Sequence, residues 1–218
     1  MPDELEGRCI VDEKKRAGRF YLFIKRSFDI IVSFIGLIFL IPITLIVGLA
    51  IKIEDGGPVF FKQTRVTKNG KLFKLYKYRS MVVNAEKIRD TMDDENEMDG
   101  PVFKVKDDKR ITKVGHFIRK TSIDELPQLI NVFLGDMSIV GPRPALPREV
   151  EEYDSYAKRR LEVKAGLTCI WQVQKNRNNI SFKDWMNMDV EYVENQSIAL
   201  DLKLIFKTFK AVLTCQGE

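Results

Sequence analysis

Twenty-two consecutive residues, Ile30 to Ile51, carry no charge and read IIVSFIGLIFLIPITLIVGLAI. A helix needs about 20 apolar residues to cross a bilayer. A core helix is seldom apolar on every face. A cleaved signal peptide does not fit either, because the run is too long and no small-residue cleavage site follows it. The run therefore predicts a membrane segment. Two features set it apart from a plain span. Pro42 lies just past the middle, where it removes a backbone donor and crowds the preceding turn. Both flanks are basic. Lys14 to Arg26 holds six Lys or Arg and no acid, Lys52 follows the run, and Gly57 to Ser80 holds seven more and no acid. Basic flanks stay on the cytoplasmic side. A re-entrant helix broken at Pro42 satisfies both observations. A kinked spanning helix is the alternative, and these residues alone leave the two open.

The rest of the 218 residues suffices for one domain of ordinary size. With 44% hydrophobic and 31% charged residues the chain is globular. A formal charge of +5 favours anionic partners without choosing among them. Three cysteines, Cys9, Cys169 and Cys215, fit a reducing compartment rather than a disulfide framework. With His116 as the one histidine they lack the paired spacing of a zinc site, and no nucleophile elbow supports a His-dependent triad. No nucleic-acid-binding motif is visible.

The pattern predicts an α+β chain, mostly helical. Pro58–Val66 and Lys71–Arg79 are rich in β-branched and aromatic residues, and the Asn69-Gly70 pair between them signals a small β-hairpin. Helices are expected over Ile111–Lys120, Asp124–Leu134, Pro147–Val163, Phe182–Glu194 and Leu202–Leu213. A short one in Asn84–Asp99 runs into the acidic stretch Asp93, Asp94, Glu95 and Glu97. The last helix sets Leu202, Ile205, Phe206, Phe209, Val212 and Leu213 against Lys203, Lys207 and Lys210, the pattern of an interfacial helix or of one packed on the core. The expected organisation is a basic juxtamembrane segment (1–28), a re-entrant membrane helix (29–52) and a catalytic domain (53–218).

Three short elements carry possible chemistry. Asp124 and Glu125 sit side by side at a helix start, where Asp124 would be a good N-cap and Ser122 with Glu125 could form a capping box. The same position favours an ionised Asp124 and the binding of metal or phosphate. A carboxylate of this kind can attack phosphorus. Gly141-Pro142-Arg143-Pro144 fixes the backbone around one arginine, which lowers the entropy lost when it grips a phosphate. The hairpin interleaves aromatics with basic residues, Lys77 among them, suited either to lipid headgroups or to gripping phosphate.

FFKQTRV…KLFKLYKYRSM, DDKRITKVGHFIRKTSIDELPQLINVFLGDMSIVGPRP and AGLTCIWQV strongly resemble the bacterial sugar transferases, the monotopic polyprenyl-phosphate phosphoglycosyl transferases. The resemblance runs from about Lys25 to the C-terminus. It implies the re-entrant helix with a central proline, here Pro42, and a location on the cytoplasmic face of the bacterial inner membrane. It implies transfer of a sugar-1-phosphate from a UDP-sugar to polyprenyl phosphate in two steps, with Asp124 as covalent nucleophile, Glu125 as its proton-handling neighbour, and Mg2+ near Asp124. Lys77, Arg119 and Arg143 match positions that hold phosphates. Self-association as a homodimer is left open, and nucleic acid is not an expected partner. The chain departs from the family pattern at Ala165–Cys169, at Lys175-Asn176-Arg177 and at Ile41, none of them in the dyad. Larger relatives carry additional N-terminal segments, so the chain is expected to be a minimal catalytic form. The competing class is a non-enzymatic basic membrane-surface scaffold, which leaves the dyad and the Pro-Arg-Pro unexplained.

Overall fold

A computed structural model describes residues 17–89, 92, 99–103, 105, 108–174 and 179–214. Lys14 to Arg16, the acidic stretch Asp93–Glu97, Lys175-Asn176-Arg177, Cys9 and Cys215 lie outside the described residues.

The apolar run forms part of one helix, α1 (Arg19–Asp55), which passes through Pro42 and ends at Gly56 in a left-handed conformation. The helix runs on through Pro42 and extends past the expected segment 29–52 at both ends. A proline removes a single backbone donor. Thr44 Oγ1 donates to Leu40 O at 2.8 Å, and Ser33 Oγ donates to Asp29 O at 2.5 Å. One face of α1 is buried at Asp29, Ser33, Leu40, Val47 and Ile51. Ile31, Phe34, Ile38, Ile41, Leu45 and Leu49 are exposed on the outside. The helix is long and apolar enough to cross a membrane.

The hairpin is β1 (Phe60–Val66) against β2 (Leu72–Tyr78), antiparallel, with Phe61 opposite Lys77. Asn69 (φ 58°) and Gly70 (φ 76°) turn the chain in the left-handed region, as the Asn-Gly pair demands. After α2 (Ala85–Arg89) and α3 (Lys113–Lys120), a 3-10 turn over Ile123–Glu125 precedes α4 (Gln128–Leu134). Then follow β3 (Met137–Val140), α5 (Pro147–Glu151), β4 (Ala165–Thr168), α6 (Phe182–Glu194) and α7 (Ile198–Leu213).

Two further stretches differ from expectation. The single helix over Pro147–Val163 is α5 followed by a separate 3-10 stretch, Ala157–Glu162. Asp154 divides them, its carboxylate accepting from Ala157 N–H at 2.7 Å, the local bond by which Asp competes with a helix. The strands β3 and β4 pair in parallel, a contact between segments too short to show periodicity.

The main core joins β2, α4, β3 and β4 through Phe73, Leu75, Leu129, Val132, Met137, Val140 and Ala165, with Val32 and Leu37 of α1 packed on it. On α7, Asp201 and Leu204 are buried, while Leu202, Phe206, Phe209 and Leu213 form an exposed apolar row. Phe206 is 71% exposed, which fits the interfacial pattern.

Candidate active site

The dyad is placed by a tight reversal. Helix α3 ends in Arg119 and Lys120, Ser122 takes the left-handed conformation (φ 57°), and Ser122 O accepts from Glu125 N–H at 3.3 Å. A non-glycine residue in that region costs about 1 kcal/mol, and here it directly precedes the carboxylates. The chain then enters α4 with Pro127 as its N-cap and no side-chain cap. The expected capping by Asp124, or by Ser122 with Glu125, is therefore absent. Pro127 has no N–H to be capped, so the α-helical ladder starts after it and the dyad stays in the 3-10 turn.

Asp124 is 7% exposed; Glu125 is half-buried. Lys77 Nζ reaches both, at 2.9 Å from Glu125 Oε1 and 3.7 Å from Asp124 Oδ2. The strand carrying Lys77 is fixed by a wholly buried amide. Asn131 Oδ1 accepts from Tyr76 N–H at 3.0 Å, and Asn131 Nδ2 donates to Lys74 O at 2.8 Å. Asn131 belongs to α4, so the helix that follows the dyad also sets the height of Lys77 over it. Gln172 Nε2 lies 3.4 Å from Glu125 Oε2.

The two carboxyls are driven apart. Burial pushes the Asp124 pKa up, and the neighbouring Glu125 charge adds to this, while Lys77 and Arg119 oppose it. Burial also acts on Glu125, but Lys77, Arg143 and Gln172 override it and hold that carboxyl below the usual range. A cation arriving beside Asp124 would restore its ionised form. Two adjacent carboxylates do not make a closed metal cage, and no cluster of three ligands occurs among the described residues. The donor set fits Mg2+ in the way that ion is commonly held, by one or two carboxylates together with substrate phosphates.

Arg143 is held by its own loop. Four successive carbonyls accept hydrogen bonds. Pro142 O takes Gly166 N–H at 2.9 Å, Arg143 O takes Arg160 Nη2 at 2.8 Å, Pro144 O takes Arg65 Nη1 at 3.0 Å, and Ala145 O takes Val66 N–H at 2.9 Å. Gly141 and Gly166 let the two chains touch. A Cβ on Gly166 would lie 2.0 Å from Gly141 N. The Arg143 guanidinium sits 5.4 Å from the Trp185 ring and 4.0 Å from Glu149 Oε1, and its Nη1 is buried without a hydrogen-bond partner. Behind it the buried pair Arg160–Asp189 closes at 2.7 Å, and Arg160 Nη1 donates to Tyr153 Oη at 2.6 Å.

Asp124, Glu125 and Lys77 thus share direct contacts, Arg119 and Arg143 act on the dyad through charge, and Pro42 lies apart on α1. Arg160, Asn131 and Gln172 carried no readable site signal in the sequence, and Arg65 was legible only as one of the basic residues interleaved in the hairpin. Their roles depend on partners far along the chain; Arg65, Asn131 and Gln172 stood inside the runs that carry the resemblance, and Arg160 did not.

Residues 20–215 match the family model described as bacterial sugar transferase. The galactosyl transferase CpsE of Streptococcus agalactiae serotype III (strain NEM316) is 46% identical over 213 residues, 97% of this chain and 47% of that protein. The exopolysaccharide production protein ExoY of Sinorhizobium fredii is 41% identical over 198 residues, 89% of this chain and 87% of ExoY. The undecaprenyl-phosphate galactose phosphotransferase of Salmonella typhimurium is 43% identical over 210 residues, 93% of this chain and 42% of that protein. The chain thus spans less than half the length of the Streptococcus and Salmonella relatives and most of ExoY.

Proposed function

The chain belongs to the bacterial sugar transferase family, and we propose that it transfers a sugar-1-phosphate from a UDP-sugar to polyprenyl phosphate, the priming step of surface polysaccharide assembly. The relatives' names support the reaction class: one acts on undecaprenyl phosphate, another in exopolysaccharide production. The observation that carries the reading is a buried Asp124 bridged to Glu125 by Lys77, with Arg119 and Arg143 acting on the pair.

In this reading a carboxylate oxygen of Asp124 attacks the β-phosphorus of the donor. The bond to the bridging oxygen breaks, UMP leaves with that electron pair, and the phosphosugar stays on Asp124. An oxygen of the polyprenyl phosphate then attacks the same phosphorus and frees Asp124. Carboxylate attack on an anionic pyrophosphate depends on charge neutralisation and positioning. Lys77 holds Glu125 ionised beside the nucleophile, and Arg119 and Arg143 take up phosphate charge. Bound Mg2+, held by Asp124 and the phosphates, would screen the remaining negative charge. UMP release should therefore require a UDP-sugar and a divalent cation. Excess chelator should stop it, and added Mg2+ should restore it. Full turnover in chelator would remove the metal, and no UMP from any UDP-sugar with polyprenyl phosphate present would leave the scaffold reading.

The same proposal places α1 as a monotopic helix on the cytoplasmic face. Both of its ends are tied to one body. At the start, Lys25 Nζ meets Asp201 Oδ2 at 2.8 Å, and Arg26 donates to Val132 O and Phe133 O at 2.7 and 2.8 Å. At the end, Glu54 accepts from Lys113 N–H at 2.7 Å, and Asp55 pairs with Arg79. Between them Thr44 Oγ1 and Tyr78 Oη share a hydrogen bond of 2.5 Å. A helix crossing about 30 Å of hydrocarbon would carry one set of these charged partners to the far side. Lying with one face on the domain and the other in lipid keeps both in water. Single cysteines near Gly18 and Gly56, in a chain without its native three, should both resist a membrane-impermeant thiol reagent until cells are lysed. Labelling of the Gly18 site alone from outside would mean a spanning helix.

A further inference from the structure

The end of α4 opposite the dyad carries a concentration of positive charge. Gly135 closes the helix with φ 88°, and a side chain there would meet Arg26 Nη2 at 3.1 Å and Lys164 Nζ at 3.5 Å. The guanidinium and the ammonium therefore flank one point beside the helix end. The hairpin tip adds Lys71, whose Nζ is 3.1 Å from Asp136 Oδ1, and Lys68, whose charge acts on Lys164. Burial, then Arg26 and Lys68, depress the Lys164 pKa, against Asp29 and Asp136.

These groups are unequally satisfied. Arg26 donates to two carbonyls at the end of α4, Phe133 O and Val132 O, the second of which also accepts from Gly135 N–H at 3.1 Å. Asp136 serves Lys71. The Asp29 carboxylate accepts from Ser138 Oγ at 3.1 Å and Ile139 N–H at 2.9 Å. Lys164 Nζ has no hydrogen bond or ion pair among the described residues, so positive charge remains uncovered at this point. Directly beside it the surface turns apolar. Leu134, next to Gly135, is 63% exposed, and the Phe133 and Phe34 rings lie 6.2 Å apart where α4 meets α1. Arg26 itself stands just ahead of the uncharged run. Cations bordering an apolar skirt at the start of a lipid-embedded helix match the two halves of a phospholipid.

We propose that Arg26, Lys68, Lys71 and Lys164 form a seat for the phosphate of an anionic phospholipid, with its acyl chains against Phe34, Phe133 and Leu134. The proposal rests on the reading of α1 as lipid-embedded. The seat is separate from the reacting centre, because α4 stands between them and a phosphate at one end cannot reach Asp124 at the other. Its role is to fix the depth of α4, and so of the dyad ahead of it, at the bilayer surface. Electrostatic attraction to anionic lipid supplies the recognition.

The full chain in neutral detergent can be titrated with dihexanoyl-phosphatidylglycerol, dihexanoyl-phosphatidylcholine and inorganic phosphate, reading the shift in thermal unfolding that a ligand of the folded state produces. Phosphatidylglycerol should raise the transition at concentrations where the other two do not. Lys164→Gln with Lys68→Gln should weaken that response about tenfold and leave UMP release in zwitterionic micelles unchanged, whereas Lys164→Arg should keep it. Lys68→Gln with Lys71→Gln, confined to the exposed hairpin tip, should weaken it about threefold and covers the case in which the first pair misfolds. An equal shift with phosphatidylcholine would make the contact purely apolar. An equal shift with phosphate would make it a plain anion site, and an undiminished response in both variants would place the lipid elsewhere. Each of these overturns the proposal. Unfolding is read without turnover, so a failure to release UMP from any donor leaves this test intact.

Discussion

Asp124→Asn should lower UMP release by roughly three orders of magnitude or more, the scale seen when a covalent nucleophile is lost. The substitution keeps the shape of a side chain that is 7% exposed, so the fold should survive. What it removes is the oxygen that attacks. Mixing the unmodified protein with donor, in the absence of polyprenyl phosphate, should add the mass of a phosphosugar to the chain, and the Asn variant should show no such adduct. An Asn variant that keeps a tenth of the activity or still forms the adduct would take the nucleophile's role from Asp124. Glu125→Gln should also be severely impaired, and if it still forms the adduct, Glu125 works in the second step. The same site fixes the pH dependence. Burial first, then Glu125, raise the Asp124 pKa, so at a given pH a smaller fraction is ionised than for an exposed aspartate. At a subsaturating concentration of divalent cation, the acid limb of adduct formation should therefore lie above the ordinary aspartate range, and it should fall as Mg2+ is raised. Lys77→Met removes an ammonium that lowers that pKa and should move the limb higher still. An unmoved limb in Lys77→Met would mean that Lys77 does not act on the nucleophile's charge.

How much of this was legible beforehand depended on the range of the interactions. The apolar run needs no partner to be recognised, and Asn69-Gly70 dictates its own turn, so α1 and the hairpin follow from local chemistry. The adjacency of Asp124 and Glu125 is equally local, whereas their setting is not. The 3-10 turn depends on Pro127 and on the left-handed Ser122, and the ionisation of the pair depends on Lys77 from another element. The parallel pair of β3 and β4 was invisible because each strand is four residues long, and because Gly166 is there for a close approach to Gly141 rather than for strand propensity. Pro42 is the instructive case. Its local rule predicts a missing donor, and α1 has a packed face on both sides of it, at Leu40 and at Val47, so the helix carries on past the proline.

Removal of Arg160 should have the largest effect on stability. Arg160 and Asp189 are both almost wholly buried and form a 2.7 Å ion pair, with Arg160 also bonded to Tyr153 Oη and Arg143 O. Arg160→Met leaves Asp189 buried without its cation, a change worth about 3–5 kcal/mol. The sign of its pH dependence follows from Asp189. Burial, opposed by Arg160 and Arg143, already holds that carboxyl up at about 6 in the folded chain. A raised folded pKa means that the native state binds the proton more tightly than the unfolded state, so the contribution is favourable in acid and is lost as pH rises through the folded value. Without Arg160 the carboxyl moves higher, and the penalty should be greater at pH 8 than at pH 5. A denaturation penalty that is flat between those two values would contradict the pairing. Adding Asp189→Leu removes the stranded charge, and replacing both members of a buried pair by apolar groups is often close to neutral. The double variant should therefore regain most of its stability. It should not regain activity, because Arg143 O still lacks its donor and the loop that aims Arg143 is loosened. With the fold restored, the deficit should appear as a raised KM for the UDP-sugar more than a lowered kcat. A double variant with native stability and native KM would show that Arg143 is aimed by its prolines alone.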